Sequence, residues 1–180
     1  MPSNALSAVF ILLAFCLVEQ AAQEQQASNK IVQLICSRTS CRSFCEQSLY
    51  GDPQIAEGDQ YTVAYLTVWM TYNNASHTRD HINDLLIHQK LSLSHAQALT
   101  RCNDSYGQAI SALDEACNDI NAETFFELGD LASIASRAAD SCQIAADDAH
   151  LPPYLLPGNN DLKRLCEICS VIGKMYSGER

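Results

Sequence analysis

Leu99-Thr-Arg-Cys102-Asn-Asp-Ser-Tyr106-Gly-Gln-Ala109-Ile-Ser-Ala-Leu113-Asp-Glu-Ala-Cys117 repeats its apolar residues at steps of three and four, which marks one buried face of an amphipathic α-helix. A second stripe of the same period follows: Phe125, Leu128, Ala132, Ala135, Ala139, Cys142. Forty residues separate Cys102 from Cys142. If the two lie on neighbouring antiparallel helices, equal arms put the turn near residue 122, where the polar run Asn118-Asp119-Ile120-Asn121-Ala122-Glu123 stands.

Working outward, a third stripe runs Leu162, Leu165, Cys169, Ile172, Tyr176. Between Asp59 and Lys90 the pattern is thicker, with Tyr61, Tyr65, Val68 and Tyr72 on one face, Leu66, Trp69 and Met70 beside them, and Ile82, Leu85 and Leu86 beyond. It predicts a long helix broken near Asn73-Asn74 and capped by Asp59, with Ser92 or Ser94 opening the next helix. Leu151-Pro-Pro-Tyr-Leu-Leu-Pro-Gly158 ends the third helix, because paired prolines cannot continue it, and Asn160 or Asp161 caps the fourth. From Lys30 to Tyr50 the nine-residue step between Cys36 and Cys45 leaves room only for two small helical arms around Thr39-Ser40, closed by Gly51-Asp52-Pro53. The class is all-α: an up-and-down four-helix bundle behind an N-terminal helical hairpin at 30–50, within a domain spanning 29–177.

Leu6 to Val18 is almost wholly apolar, yet shorter than the roughly 20 residues of a membrane span, so residues 1–22 read as a signal peptide cleaved after Ala22. No later segment is apolar enough to span a bilayer, and the expectation is a secreted chain with no membrane association after cleavage. The remaining 158 residues suffice for one domain. Their formal charge of −9 excludes nucleic acid as a ligand, since phosphate binding needs clustered Lys and Arg, and is compatible with a basic protein partner. Eight cysteines survive cleavage, and in an oxidising compartment an even count favours disulfides. Asn74-Ala-Ser76 and Asn103-Asp-Ser105 are N-glycosylation acceptor triplets.

The chemistry-bearing clusters read as structure. Cys166-Glu-Ile-Cys169 has the spacing of a redox pair beside Lys163 and Arg164, but it falls inside a helix rather than at its start, which favours core or disulfide packing. His77, His81, Asp84 and His88 share a helical face, yet the glutamate of a zinc-protease helix is missing from His77-Thr-Arg-Asp-His81, so a solvated polar face is the reading and no metal or cofactor is expected. With no Gly-x-Ser-x-Gly and no phosphate loop, the chain is not expected to be an enzyme.

A secretory leader, Cys36-x8-Cys45 with its Phe44-Cys45-Glu-Gln-Ser-Leu49, and Cys102-x3-Tyr106-x2-Ala109-x3-Leu113 together resemble the plant invertase and pectin methylesterase inhibitor family, over about Asn29 to Tyr176. The resemblance implies a four-helix up-and-down bundle with a protruding N-terminal hairpin, disulfides Cys36–Cys45 and Cys102–Cys142, and a function as a stoichiometric inhibitor that caps the active site of a cell-wall enzyme. Invertase inhibitors of this family use a Pro-Lys-Phe motif at the start of the third helix, where this chain has Glu123-Thr124-Phe125-Phe126. The aromatic survives and the Lys does not, which points away from acid invertase. Pectin methylesterase inhibitors often carry Thr before the last bridge cysteine, and Ser141 keeps that hydroxyl. Pectin methylesterase is therefore the first expected partner and acid invertase the second. The expected contacts are exposed positions near the turn, Asn121, Thr124 and Phe125, together with Ser141, with Phe125 reading equally as a core residue. Cys41, Cys117, Cys166 and Cys169 exceed the family pattern and stay unassigned: on parallel helices Cys117 and the last two lie about 12 Å apart, too far to bridge. Two other readings stand behind these, a bundle that has changed its partner and a small-molecule carrier. The carrier lacks the Cys-Cys and Cys-x-Cys steps of plant lipid-transfer proteins.

Overall fold

The computed structural model describes residues 30–153 and 156–178, and the signal-peptide reading at 1–22 lies outside them. Helix α1 covers 30–36, and α2 (Arg42–Tyr50) folds back on it as the second arm of the hairpin. A short α3 (Pro53–Glu57) follows where only a terminator was expected: Asp52 accepts from the Gln54 amide at 2.9 Å and Pro53 takes the first helical position, where its missing N–H costs nothing. The bundle consists of α4 (Gln60–His88), α5 (Leu93–Asn121), α6 (Leu128–Asp148) and α7 (Gly158–Tyr176). Helix α5 packs on α4 and α6, and α7 closes the ring against both.

Caps explain most boundaries. Asp59 accepts from the Thr62 amide at 2.8 Å to open α4, and Ser92 accepts from the His95 amide at 3.2 Å to open α5. Helix α5 ends with Glu123 in the left-handed region at φ 58°, while the Glu123 and Thr124 amides donate to Ile120 and Asp119. Helix α6 ends the same way through His150 at φ 54°, with Leu151 donating to Ala146.

Three expectations about the elements change. Helix α4 runs unbroken through Asn73-Asn74 for 29 residues. Helix α6 starts at Leu128 rather than Phe125, because Asp119 holds residues 124–127 in a turn. Helix α7 starts at Gly158 on Pro157, without a side-chain cap from Asn160 or Asp161. Asn159, the residue before them, has its side chain drawn into the core: its Oδ1 accepts from Tyr106 Oη at 2.7 Å and its Nδ2 donates to Gln143 Oε1 at 2.9 Å, joining α5, α6 and α7. Gly158 fits because a Cβ there would stand 2.1 Å from Thr78 Oγ1 of α4.

The largest difference concerns the face that α4 buries. Its inward residues include Val63, Ala64, Thr67, Val68, Thr71, Ala75, Thr78, Ile82 and Leu85, whereas Tyr65 and Trp69 are exposed. Each buried threonine hydroxyl donates to the carbonyl four residues earlier: Thr67 to Val63 at 2.6 Å, Thr71 to Thr67 at 2.7 Å and Thr78 to Asn74 at 2.8 Å. None of these three hydroxyls is orphaned, so the desolvation cost of about 1–3 kcal/mol for an unpaired group does not arise for them.

In the structure Cys36 is bonded to Cys45 with Cα atoms 5.4 Å apart, and Cys102 to Cys142 at 4.3 Å. The first closes the hairpin over Val32, Ile35 and Leu49, which are continuous with the bundle core. The hairpin tip is tied to the bundle: Glu167 of α7 accepts from the Ser40 amide at 2.7 Å and from its hydroxyl at 2.6 Å, and the Arg164 guanidinium lies 5.2 Å from the centre of the Phe44 ring. The second bridge locks α5 to α6.

The candidate interaction face

The α5–α6 turn is built around one carboxylate. Asp119 accepts from the Thr124 hydroxyl and, at 3.1 Å, from the Glu127 amide, while its own backbone carbonyl accepts from the Thr124 amide at 3.1 Å. With both ends of the turn bonded to one residue, its backbone is fixed before any partner arrives.

That geometry separates the two phenylalanines. Phe125 is 5% exposed and packs between Tyr61 of α4, at 5.1 Å between ring centroids, and Tyr176 of α7, at 5.3 Å. It is a core residue rather than the exposed contact expected above. The signal was legible, since Phe125 falls on the apolar period that continues to Leu128 and Ala132. Phe126, its neighbour, points outward at 73% exposed. Asn121 is exposed, and Thr124 is half-buried with its hydroxyl spent on Asp119.

Along α6, Asp130, Ile134, Arg137, Ser141 and Ile144 recur at steps of four and three and all are exposed, so they form one outward stripe. Ser141 Oγ donates to the Arg137 carbonyl at 2.9 Å and remains on that stripe. Beside it a shallow groove of about 500 Å³ follows the α5–α6 seam, bordered by Gln108, Ser111 and Glu115 of α5 and by Leu131 and Ile134 of α6. The face is therefore polar with isolated apolar points, rigid in its backbone and covalently locked by Cys102–Cys142.

The remaining sequence-marked residues lie elsewhere. Asn74 and Asn103 stand in the bodies of α4 and α5, half-buried, and Asn103 Oδ1 accepts from Arg79 Nε at 3.1 Å. His77, His81, Asp84 and His88 are exposed on α4, and among the described residues no group of three or more His, Cys, Asp or Glu is placed to hold a metal. Cys41, Cys117, Cys166 and Cys169 are free thiols. Burial pushes Cys166 well up and Cys169 up to about 12, against the thiolate that a redox pair needs. Lys163 does not offset this, because it pairs with Asp140 at 2.6 Å. Cys41 differs: the Phe44 amide and the Ser43 hydroxyl lower its pKa at the surface start of α2.

The family model described as "Plant invertase/pectin methylesterase inhibitor" matches residues 30–172, which covers the hairpin, α3 to α6 and α7 as far as Ile172. The chain belongs to that family. It is accordingly an inhibitor with a protein target, not an enzyme. Among curated proteins none matches the chain. Among solved structures it is similar to a mutant form of a pectin methylesterase inhibitor from Arabidopsis, at TM-score 0.71 and 24% identity over 79% of this chain and 94% of the other. It is also similar to a pectin methylesterase inhibitor from Arabidopsis thaliana, at TM-score 0.63 and 22% identity over 82% of this chain and 96% of that one. At these identities the likeness establishes the fold. No described helix is long and apolar enough to cross a membrane.

Proposed function

We propose that the chain is a secreted inhibitor of the plant cell wall that binds pectin methylesterase at one-to-one stoichiometry and occludes its substrate cleft with the α5–α6 face and turn. The observation that carries this reading is the locked α5–α6 pair, whose outward stripe ends at a turn held by Asp119. A pre-ordered surface loses little conformational entropy on docking, at about 0.5–1.5 kcal/mol for each side chain that need not be immobilised. The contacts assigned are Asn121, Phe126, Ser141 and the exposed apolar points Ile134 and Ile144, with Phe126 replacing Phe125. Pectin methylesterase is preferred over acid invertase because Glu123 and Thr124 stand where the Pro-Lys of the invertase-directed motif would be. Acid invertase is the second reading, favoured by the aromatic that Phe126 still projects from the turn.

The test is titration of the disulfide-intact mature chain against purified pectin methylesterase and acid invertase at mildly acidic pH. The expected result is loss of pectin methylesterase activity with an equivalence point near one to one. Inhibition of invertase alone selects the second reading, and inhibition of neither removes both.

A further inference from the structure

Tyr65 and Trp69 remain 37% and 47% exposed on α4 while threonines fill the core one step round the same helix. The exposed rings are pre-arranged: Trp69 stacks on Tyr72 with centroids 5.5 Å apart and planes 5° from parallel. Tyr65, one turn before Trp69, also lines a groove of about 580 Å³ between α3, the start of α4 and the end of α5. Asp59 and Glu123 contribute carboxylates to the groove, Gln54 and Asn121 contribute amides, and no Lys or Arg among the described residues lines it.

Those walls select a class of occupant. An anion meets two carboxylates and no counter-charge. A purely apolar group would leave the same carboxylates desolvated and unpaired, at a cost of several kcal/mol. A cation is satisfied on both sides, by the carboxylates and by the negative faces of the tyrosine rings, and a flat guanidinium stacks on such rings better than an ammonium does. The Thr62 amide, bonded to Asp59 at 2.8 Å, holds that carboxyl below its usual range, so it stays ionised in mildly acidic solution. The chain's formal charge of −10 adds a field that draws basic surfaces in.

We propose that this groove and the Tyr65–Trp69–Tyr72 stripe form a docking surface for an arginine-bearing segment of a basic protein partner, the guanidinium lying against Tyr65 beside Asp59 and Glu123. Asn121 and Glu123 belong to the α5–α6 turn, so the surface extends the inhibitory face onto α4. The partner's identity as the target enzyme rests on the inhibitor reading, whereas the chemistry of the groove does not.

Trp69 is the chain's single tryptophan, which makes its fluorescence a local reporter. The full disulfide-intact chain is titrated with a tri-arginine peptide, with a tri-glutamate peptide and with purified pectin methylesterase, at low and high salt. Tri-arginine is expected to change Trp69 emission, with an affinity that falls in salt and drops about tenfold in a variant carrying Tyr65→Ala and Glu123→Gln. Tri-glutamate is expected to change nothing, and Tyr65→Phe, which keeps the ring, to retain the affinity. An unresponsive Trp69, an equal response to tri-glutamate, or a Tyr65→Phe loss as large as that of the double variant overturns the proposal. Inhibition of pectin methylesterase that leaves Trp69 emission and the double variant's potency unchanged also overturns it, while sparing the inhibitor reading. Arginine binding that follows the expected pattern without inhibition of either enzyme removes the inhibitor reading and supports the surface.

Discussion

Along α6 the buried positions are Leu128, Leu131, six alanines and Cys142, and the polar side chains face out. Along α4, in the same bundle, Thr67, Thr71 and Thr78 go in while Tyr65 and Trp69 stay out. Helix α6 follows side-chain polarity because its buried methyl groups carry no hydrogen-bonding atom and let neighbouring axes approach closely. Helix α4 departs from it because each buried threonine hydroxyl finds an acceptor in its own helix, with Thr71 Oγ1 also lying 3.4 Å from Cys169 Sγ of α7. Polarity predicts burial only where the polar atom needs a partner from outside its own helix.

The covalent link is where this contrast breaks most visibly. Cys102–Cys142 ties the alanine-lined α5–α6 pair, and α4 carries no such bridge. Replacing both cysteines by alanine is expected to cost about 4 kcal/mol, the loop-closure contribution of a 40-residue separation. Denaturant unfolding measures it. A loss below about 1 kcal/mol would mean that close helix packing alone secures the pair, in line with how far measured disulfide effects can fall under the entropic value.

Hydroxyls bonded between helices should behave unlike those bonded within one. Tyr106 Oη reaches from α5 to Asn159 of α7, so Tyr106→Phe leaves a buried amide oxygen unpaired and is expected to cost about 1–3 kcal/mol in thermal or denaturant unfolding. Burial also holds the Tyr106 phenol above its usual range. Its contribution is therefore complete below about pH 10, where the unfolded phenol begins to ionise, and is lost as the pH rises further. The phenylalanine variant is expected to lack that alkaline component.

Thr67→Val supplies the within-helix half of the comparison, since the Thr71 hydroxyl also meets Cys169 Sγ of α7 at 3.4 Å. It removes a hydroxyl whose acceptor still receives its ordinary helical amide, so it is expected to change stability by less than about 1 kcal/mol. A penalty matching that of Tyr106→Phe would place the Thr67 hydroxyl in a network between helices after all.

The same distinction separates what the sequence reveals from what it conceals. The stripes through Leu99 to Leu113 and Leu128 to Cys142 coincide with buried faces because Leu, Ala and Cys are buried for the reason that makes them apolar. The α4 stripe of tyrosines and Trp69 misleads, since an amphipathic ring can stand at the surface as readily as in a core. At the turn, Phe125 and Phe126 are chemically identical, and the period that continues to Leu128 and Ala132 picks out Phe125 as the one that enters the bundle, in a turn that Asp119 holds. The start of α7 was illegible for a similar reason: the caps expected at Asn160 or Asp161 are not used, and Asn159 beside them is bonded to a tyrosine 53 residues away.

Trp69→Ala is expected to have the smallest effect on stability and tests the outward face of α4 most directly. The substitution loses a surface stack on Tyr72, worth about 0.5–1.5 kcal/mol in favourable settings. It gains several tenths of a kcal/mol of helix propensity, because alanine gives up no side-chain freedom in a helix. The two nearly offset, and the net change in unfolding free energy should lie within about 0.5 kcal/mol, as for ordinary surface positions. A tryptophan that stabilises so little while exposing so much ring is poorly accounted for by folding. A measured loss above about 1.5 kcal/mol would return Trp69 to the structural side, and the case for an outward-facing docking surface on α4 would weaken with it.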